Sequence, residues 1–209
     1  MKIVEINNTP TTFLLPANDL RAALQCVSTD SAHPYLCGVL LAEETIVALD
    51  GHILLTISLE VGSHIGEEVH TKEGGFLLSC DASDKGFRVK SPHGSAVWVY
   101  GDMQTGILEF VTDPADDGEA VRLGVAQFDV LDAQFPDWPR VIAKGDGGTG
   151  FLAYRPDVLG KLIKAADVID KGRAVRLTGG KLPSDPIRVD FKASERLRGS
   201  LMPVRWTPL

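Results

Sequence analysis

The pattern of apolar and polar positions repeats three times along the chain. The repeats open on similar stretches, FLLPANDLRAAL from Phe13, FLLSCDASDKGF from Phe76 and FLAYRPDVLGKL from Phe151. In the first and third repeats, apolar residues then recur at the i, i+3, i+4, i+7 spacing of an amphipathic helix. Gly86 weakens the helical pattern of the middle repeat. We therefore predict two regular helices and one short helix.

The two regular helices each have one apolar stripe. The stripe of the first helix consists of Leu20, Ala23, Leu24 and Val27. Asn18 or Asp19 is suited to capping the start of that helix. The stripe of the other helix consists of Leu159, Leu162, Ile163, Ala166 and Ile169. Pro156 suits its first turn, and Lys161 and Lys164 are predicted to lie on its polar face.

Three strand-like runs follow each helix. They are rich in β-branched and aromatic residues and are bounded by Gly, Pro and Asp. They occupy residues 38–42, 45–49 and 52–60, then 96–100, 106–111 and 120–128, then 173–178, 186–191 and 199–206. The pattern predicts an α+β fold of three strand–helix–three-strand modules, with mainly antiparallel sheets. Within the first module, Asp50-Gly51 predicts a two-residue hairpin turn.

The charge of the chain is unevenly distributed. The net charge is −7 over 209 residues, which argues against a protein that simply coats nucleic acid. Residues 151–209 carry 12 Lys+Arg and 6 Asp+Glu (+6), whereas residues 1–150 carry 9 and 22 (−13). Such an asymmetry can place a basic surface on an acidic protein. A solvated face on the last segment explains it more simply.

The composition does not indicate an enzyme or a membrane protein. No stretch approaches the roughly 20 apolar residues of a membrane span, and the N-terminus does not resemble a signal peptide, so we expect a cytoplasmic protein. The three cysteines lack a CxxC spacing and are expected to be reduced, buried and inert. His64 and His70 lie near acidic residues, but no His/Cys spacing suits zinc and no nucleophile elbow is present. We expect no metal, no cofactor and no enzymatic activity.

Three separated segments, in the same order, resemble the bacterial DNA polymerase III β subunit, the sliding clamp. Residues 33–60 contain Tyr-Leu-x-Gly and Asp-Gly-His, as at the start of the clamp's middle domain. Residues 135–144, FPDWPRVIAK, resemble the linker to its last domain, and residues 199–206, GSLMPVRW, resemble its C-terminal strand. The resemblance implies a DNA-clamp-like fold. Residues 1–138 would form a complete two-module domain, 139–150 a linker and 151–209 a one-module half domain.

In that family, the Asp-Gly-His turn, the Tyr-Leu-x-Gly strand and the C-terminal strand form an apolar pocket for partner peptides. The resemblance therefore implies a peptide pocket made of Leu36, Leu49, Gly51, His52, Ile53, Leu54, Met202, Pro203, Val204 and Arg205. Leu49, Ile53 and Ala143 depart from the Thr, Arg and Pro usual in the family. Judged without the resemblance, His52 is a surface residue just past a turn, and a buried hairpin with no ligand remains an alternative.

The resemblance also implies non-specific contact with duplex DNA, because clamp helices turn their polar faces toward the hole of a ring. The residues that would contact phosphates are Arg21, Lys85, Arg88, Arg155, Lys161, Lys164, Lys171 and Arg173. The expected function is that of a homo-oligomeric processivity factor in DNA replication. It would tether a DNA polymerase or another clamp-binding protein. The alternative is a clamp-fold protein-interaction module that does not encircle DNA.

A domain of a clamp consists of two modules. The resemblance therefore leaves the third module of this chain without a partner module to complete its domain. A clamp ring has twelve modules, so four copies of a three-module chain would supply that number. The third module could instead pair with its mate in a dimer, giving an assembly other than the usual ring.

Overall fold

The computed structural model of the chain describes residues 3–4, 12–42, 44–66, 75–90, 96–112, 120–145, 153–170, 174–182, 184–192 and 194–204. The helices are Ala17–Leu24 (α1) and Pro156–Ile169 (α2), and 3-10 turns occupy Pro34–Leu36, Lys85–Arg88 and Trp138–Val141. The strands are Ile3–Val4 (β1), Thr12–Pro16 (β2), Val39–Ala42 (β3), Thr45–Leu49 (β4), Ile53–Ser58 (β5), His64–Ile65 (β6), Gly75–Cys80 (β7), Val97–Asp102 (β8), Ile107–Thr112 (β9), Ala120–Leu131 (β10), Val175–Thr178 (β11), Ile187–Phe191 (β12) and Leu197–Leu201 (β13).

The strands of the described residues form one antiparallel sheet with an open strand order. Their order is β11-β12-β13-β5-β4-β3-β7-β10-β9-β8-β2-β6, and β1 pairs with β10. Each strand run predicted from the sequence contains a strand, although several boundaries move by one to five residues. The predicted α+β class with mainly antiparallel sheets is therefore confirmed.

Each of the first two modules pairs one of its strands with the opening strand of the other module. The strand that follows the helix of the first module, β3, pairs with the opening strand of the second, β7, with Val39 opposite Leu78. The strand that follows the 3-10 turn of the second module, β8, pairs with the opening strand of the first, β2, with Val99 opposite Leu15. Each module thus covers the edge that the other leaves open, which removes two exposed edges.

The middle module has a 3-10 turn at Lys85–Arg88 in place of a regular helix, as its sequence predicts. Asp84 begins this turn, and its Oδ1 accepts a hydrogen bond of 2.9 Å from the Gly86 amide. A Cβ added to Gly86 would collide with the carbonyl of Val125 and lie 2.9 Å from the Phe110 ring. Glycine is therefore required here because the turn packs backbone to backbone against β10.

The start of α1 differs from the sequence prediction. The helix begins at Ala17 with Pro16 as its N-cap and with no side-chain cap, so the proposed caps Asn18 and Asp19 are wrong. Asn18 instead accepts a 3.0 Å hydrogen bond from Arg21 through its Oδ1. Asp19 is only 1% exposed. Burial of this side chain against another module takes it away from the helix terminus.

The predicted apolar stripes are confirmed for most of their residues. Leu20, Ala23 and Leu24 are buried in α1, whereas Val27 lies beyond its end. In α2, Pro156 is at the first helical position, and Leu159, Leu162 and Ala166 are buried. Ile163 and Ile169 of the α2 stripe are only partly buried against the core.

The third module joins the first within the chain. Strand β13 pairs with β5 over five residues, from Leu197 opposite Ile57 to Leu201 opposite Ile53. Helix α2 packs against α1 and also against β5 and β13. The sheet therefore continues across the two modules, and the helices lie side by side on one of its faces.

Apolar layers cover both faces of the central strands. The helices and the inward residues of the sheet form the main core, which includes Leu15, Leu55, Phe110 and Leu162. On the opposite face, a second layer consists of Leu36, Leu40, Val47, Leu49, Leu54, Leu77 and Phe135. We call this second layer the outer cluster. It lies on the side of the sheet away from the helices.

The cysteines are free thiols, but only one is fully buried. Cys26 is buried, while Cys37 and Cys80 are partly exposed, which corrects the expectation that all three are buried. Burial raises the pKa of Cys26, and burial together with Asp81 and Asp84 raises the pKa of Cys80 to about 12. Both thiols therefore stay protonated and poorly nucleophilic at neutral pH.

Several sequence predictions fall outside the described residues. They concern Lys171, Arg173 and Arg205, and His70 with the acidic residues near it. None of the helices that the structure describes is long and apolar enough to cross a membrane.

Candidate functional site

The Asp-Gly-His sequence forms the tip of the β4–β5 hairpin. The Asp50 amide donates a 3.2 Å hydrogen bond to the Ile53 carbonyl, so Gly51 and His52 are the two tip residues. The turn therefore lies one residue later than Asp50-Gly51. Gly51 has a φ of 89°, a conformation that glycine adopts at little cost. The Asp50 carboxylate accepts hydrogen bonds of 2.9 Å from the amides of His52 and Ile53.

The C-terminal segment lies directly against this hairpin tip. The Met202 amide donates a 2.8 Å hydrogen bond to the His52 carbonyl, and the Val204 amide donates a 2.9 Å bond to the Ala153 carbonyl. Met202 and Val204 are each 36% exposed, and His52 is also exposed. The structure thus brings together two parts of the chain that the resemblance assigned to one pocket. Their binding of a peptide remains a prediction.

The predicted pocket residues divide between the two faces of the sheet. Leu36, Leu49 and Leu54 are buried in the outer cluster. A Cβ on Gly51 would lie 3.8 Å from the Leu36 side chain, so the hairpin tip sits above that leucine. Ile53 is 1% exposed and packs into the main core on the opposite face. Ile53 therefore supports the hairpin from behind and does not face the candidate site. Pro203 is half-buried.

The outer cluster extends beyond the residues that the sequence suggested. A cleft of about 570 Å³ is lined by Leu40, Gly75–Leu77 and residues 130–139. Phe135 belongs to the outer cluster, and Trp138 and Val141 pack against it. The signal for this layer was available in the sequence. Strands β3 and β4 are apolar at consecutive positions, which is typical of strands buried on both faces.

Lys161 is held by the hairpin. Its Nζ lies 2.6 Å from Asp50 Oδ2, and the Asp50 side chain is 5% exposed. This position differs from the predicted lysine free on the polar face of α2. The ion pair ties the Asp-Gly-His hairpin to α2, because Asp50 holds the turn amides and the lysine at once.

Two other predicted DNA-contacting arginines also have partners within the chain. Arg21 is half-buried, donates to the Val89 carbonyl at 3.3 Å, and lies 5.8 Å from the centre of the Phe110 ring. Burial lowers the pKa of Arg21. Arg155 pairs with Asp157 at the start of α2. Among the predicted set, Lys85, Arg88, Arg155 and Lys164 are exposed, and Lys85, Arg88 and Lys164 are not paired by any described ion pair.

An ion pair between a partly buried arginine and a buried aspartate also joins the first and third modules. Arg196, just before β13, donates to both carboxylate oxygens of Asp19 at 2.8 and 3.2 Å. The same guanidinium donates a 2.9 Å hydrogen bond to the Ser58 carbonyl. Burial raises the pKa of Asp19, and the arginine opposes that rise. The sequence analysis did not find this pair, because the two residues are 177 positions apart.

No metal site is found in the part of the chain that the structure describes. No group of three His, Cys, Asp or Glu side chains there is arranged to hold an ion. His64 lies in β6, and the other members of the proposed histidine and glutamate group lie outside the described residues.

Comparison with known proteins gives similarity at the level of structure. No family model matches the sequence, and no curated protein matches it. Among solved structures, the DNA polymerase sliding clamp from Pseudomonas aeruginosa is 15% identical with a TM-score of 0.54, covering 99% of this chain and 69% of that chain. The DNA polymerase III β subunit from Thermotoga maritima is 15% identical with a TM-score of 0.56 and coverages of 98% and 68%.

The subunit from Borrelia burgdorferi, in complex with a natural product, is 10% identical with a TM-score of 0.61 and coverages of 98% and 65%. Nearly the whole chain therefore aligns with about two thirds of each clamp subunit. Identities this low establish the fold alone, so the sequence resemblance is confirmed as a likeness of structure. The chain has the fold of the bacterial DNA polymerase III β subunit sliding clamps over about two thirds of their length.

Proposed function

We propose that this chain is a non-enzymatic, clamp-like processivity factor that holds a DNA polymerase or another DNA-handling protein by a short apolar peptide. One observation carries the proposal. The His52 hairpin tip and the Met202 segment are hydrogen-bonded to each other, and Gly51 at the tip lies next to Leu36 of the outer cluster. A partner peptide that lies over the outer cluster would leave the helix face free for DNA.

The chemistry of this site suits an apolar peptide. Met202 supplies an adaptable thioether, Val204 an exposed apolar side chain, and Gly51 leaves the backbone accessible. His52 adds a polar contact at the rim. The neighbouring cleft at residues 130–139 provides further concave apolar surface next to the same cluster. A peptide lying along this face would bury exposed apolar area without rearranging the core.

Replacing Met202 with aspartate should weaken binding of a fluorescein-labelled leucine-rich peptide by about thirtyfold, or about 2 kcal/mol. The reason is that the carboxylate would be desolvated at the centre of the contact. Fluorescence anisotropy measures the change, and griselimycin, which binds the P. aeruginosa clamp, serves as a competitor. Val61→Asp is the matched control because Val61 is 98% exposed away from this site. Equal binding by all three proteins would contradict the proposed site.

The same proposal assigns DNA contact to the exposed cations near the helix face. We expect duplex DNA affinity to fall steeply with salt, and Lys164→Gln to lower the salt slope by about 1, because one phosphate contact is lost. Lys144→Gln is the control, since Lys144 follows Ala143, whose amide is bonded to Ser200 on the outer side. Titration of a labelled duplex at several salt concentrations tests this. Peptide binding without DNA association would eliminate the sliding role.

The second candidate is a clamp-fold interaction module that does not encircle DNA. It is favoured by the pairing of Lys161 with Asp50 and of Arg155 with Asp157, which neutralises part of the helix face. Under this alternative, the outer site would still bind the peptide. The DNA titration therefore separates the two candidates.

A further inference from the structure

We propose that the open edge of β11 is a docking surface for a second copy of this chain, which would pair its own third module with this one. The proposal does not depend on the peptide site. It rests on two observations. The equivalent strand edges of the first two modules are paired, and apolar side chains of the third module are incompletely buried.

The first two modules show the pairing rule. In each of them, the strand that follows the helical segment pairs with the opening strand of the other module, as β3 does with β7 and β8 with β2. The third module has the equivalent strand, β11. Among the described residues, β11 pairs only with β12 and ends the sheet order. The equivalent edge is paired in each of the first two modules, but it has no strand partner in the described part of the third module.

The side chains at this edge show the same difference. Val39 and Leu41 of β3 are both 0% exposed. Their counterparts on β11, Val175 and Leu177, are only partly buried against the core. Ile163, Val168 and Ile169 of α2, in the same module, are likewise only partly buried against that core. An incompletely covered apolar flank beside an open strand edge is typical of a surface that another element completes.

A second copy supplies the matching element. The opening segment of the third module, at residues 153–155, already has one neighbour, because the Ala153 carbonyl accepts from Val204. In the second module, β7 likewise has the last strand, β10, on one side and β3 on the other. Under the same rule, each copy's β11 would pair with the other copy's opening segment. The contact is reciprocal, as a two-fold symmetric dimer requires.

Within Val175–Thr178, the part of this edge that the structure describes as strand, no residue type opposes such pairing. The β11 sequence is Val-Arg-Leu-Thr, without proline or lysine to block strand addition. Arg176, the charged residue of the strand, is already bound to Asp190 on β12. Leu182, shortly after β11, is 61% exposed and adds apolar surface close to the edge.

The solution mass, measured by light scattering after size-exclusion chromatography, tests the proposal. We expect twice the 22.5 kDa chain mass, and we expect Val175→Lys to weaken self-association by about tenfold or more, because it places a charge in the new contact. If the wild-type chain forms an assembly larger than a dimer, a lower mass for Val175→Lys would support the same contact. Val61→Lys should leave the mass unchanged. A monomeric wild-type chain, or a Val175→Lys dimer of undiminished affinity, would overturn the proposal.

Hydrogen exchange on the wild-type protein covers the case in which Val175→Lys does not fold. Amides of β11 and of residues 153–155 should become more protected as the protein concentration rises, and absence of that change would also overturn the proposal. Peptide binding by folded Val175→Lys should match the wild type, because the His52 and Met202 site is made by other strands. If Met202→Asp loses peptide binding but still forms dimers, the peptide site and the β11 contact are independent of each other.

Discussion

Replacing Arg196 with methionine is expected to lower the free energy of unfolding by about 3 kcal/mol. The arginine is the bidentate partner of Asp19, whose side chain is 1% exposed. Removing it leaves a buried carboxylate without a counter-ion and the Ser58 carbonyl without this donor. Urea denaturation followed by circular dichroism measures the loss. Arg198→Met, two residues further on in β13, is the matched control, because Arg198 is exposed and its loss should cost far less.

The pH dependence of this variant gives an independent check. In the wild type, the arginine opposes the burial that raises the pKa of Asp19 above 3.8. Without it, the folded-state pKa rises further, so the folded chain keeps a proton that the unfolded chain releases. Stability then falls as the pH rises through the raised pKa. The variant should therefore be closest to the wild type in acid and furthest from it at neutral pH. A deficit that does not change with pH would contradict the buried-carboxylate explanation.

Replacing Asp50 with alanine is expected to cost about 2–3 kcal/mol of unfolding free energy and to weaken peptide binding. Asp50 accepts from the amides of His52 and Ile53, each at 2.9 Å, and from Lys161 at 2.6 Å. Losing it releases the hairpin tip and the contact of that tip with α2. Thermal unfolding and peptide anisotropy measure the two effects.

Asp50→Asn separates the two roles of this side chain. The amide oxygen can still accept from the turn amides but carries no charge for Lys161, so we expect a smaller loss, of about 1 kcal/mol. If Asp50→Asn costs as much as Asp50→Ala, the ion pair and not the turn is the main contribution. If neither variant changes peptide binding, the hairpin tip does not shape the peptide site.

The elements themselves were largely predictable, because they follow from local patterns. The i, i+3, i+4, i+7 spacing located both helices, and Pro156 indicated where the second begins. Gly86 correctly predicted a short middle helix, and the structure adds the reason, its contact with the Val125 backbone. The local pattern wrongly predicted Asp19 as a helix cap. A capping residue and a buried ion-pair partner look alike in sequence, and only the position of Arg196 distinguishes them.

The candidate site was predictable in part. The Asp-Gly-His hairpin and the Met-Pro segment were assigned together through the family resemblance, and the structure places them in contact through Met202 and His52. The inward direction of Ile53 follows from strand alternation, since Leu54 faces outward. Lys161 could not be placed from its helix face alone. Its long side chain reaches a carboxylate that is 111 positions away in sequence.

The sequence by itself determined the three repeated strand–helix patterns and the helices and strands within them. Hydrophobic periodicity is a local property, so no distant contact was needed to see it. Only the tertiary structure decided which edges meet, which cations are neutralised, and which edge stays open. The pairing of β13 with β5 and the isolation of β11 are examples. These outcomes depend on contacts between residues far apart in the chain, and several apolar strands of similar composition could have satisfied each edge equally well.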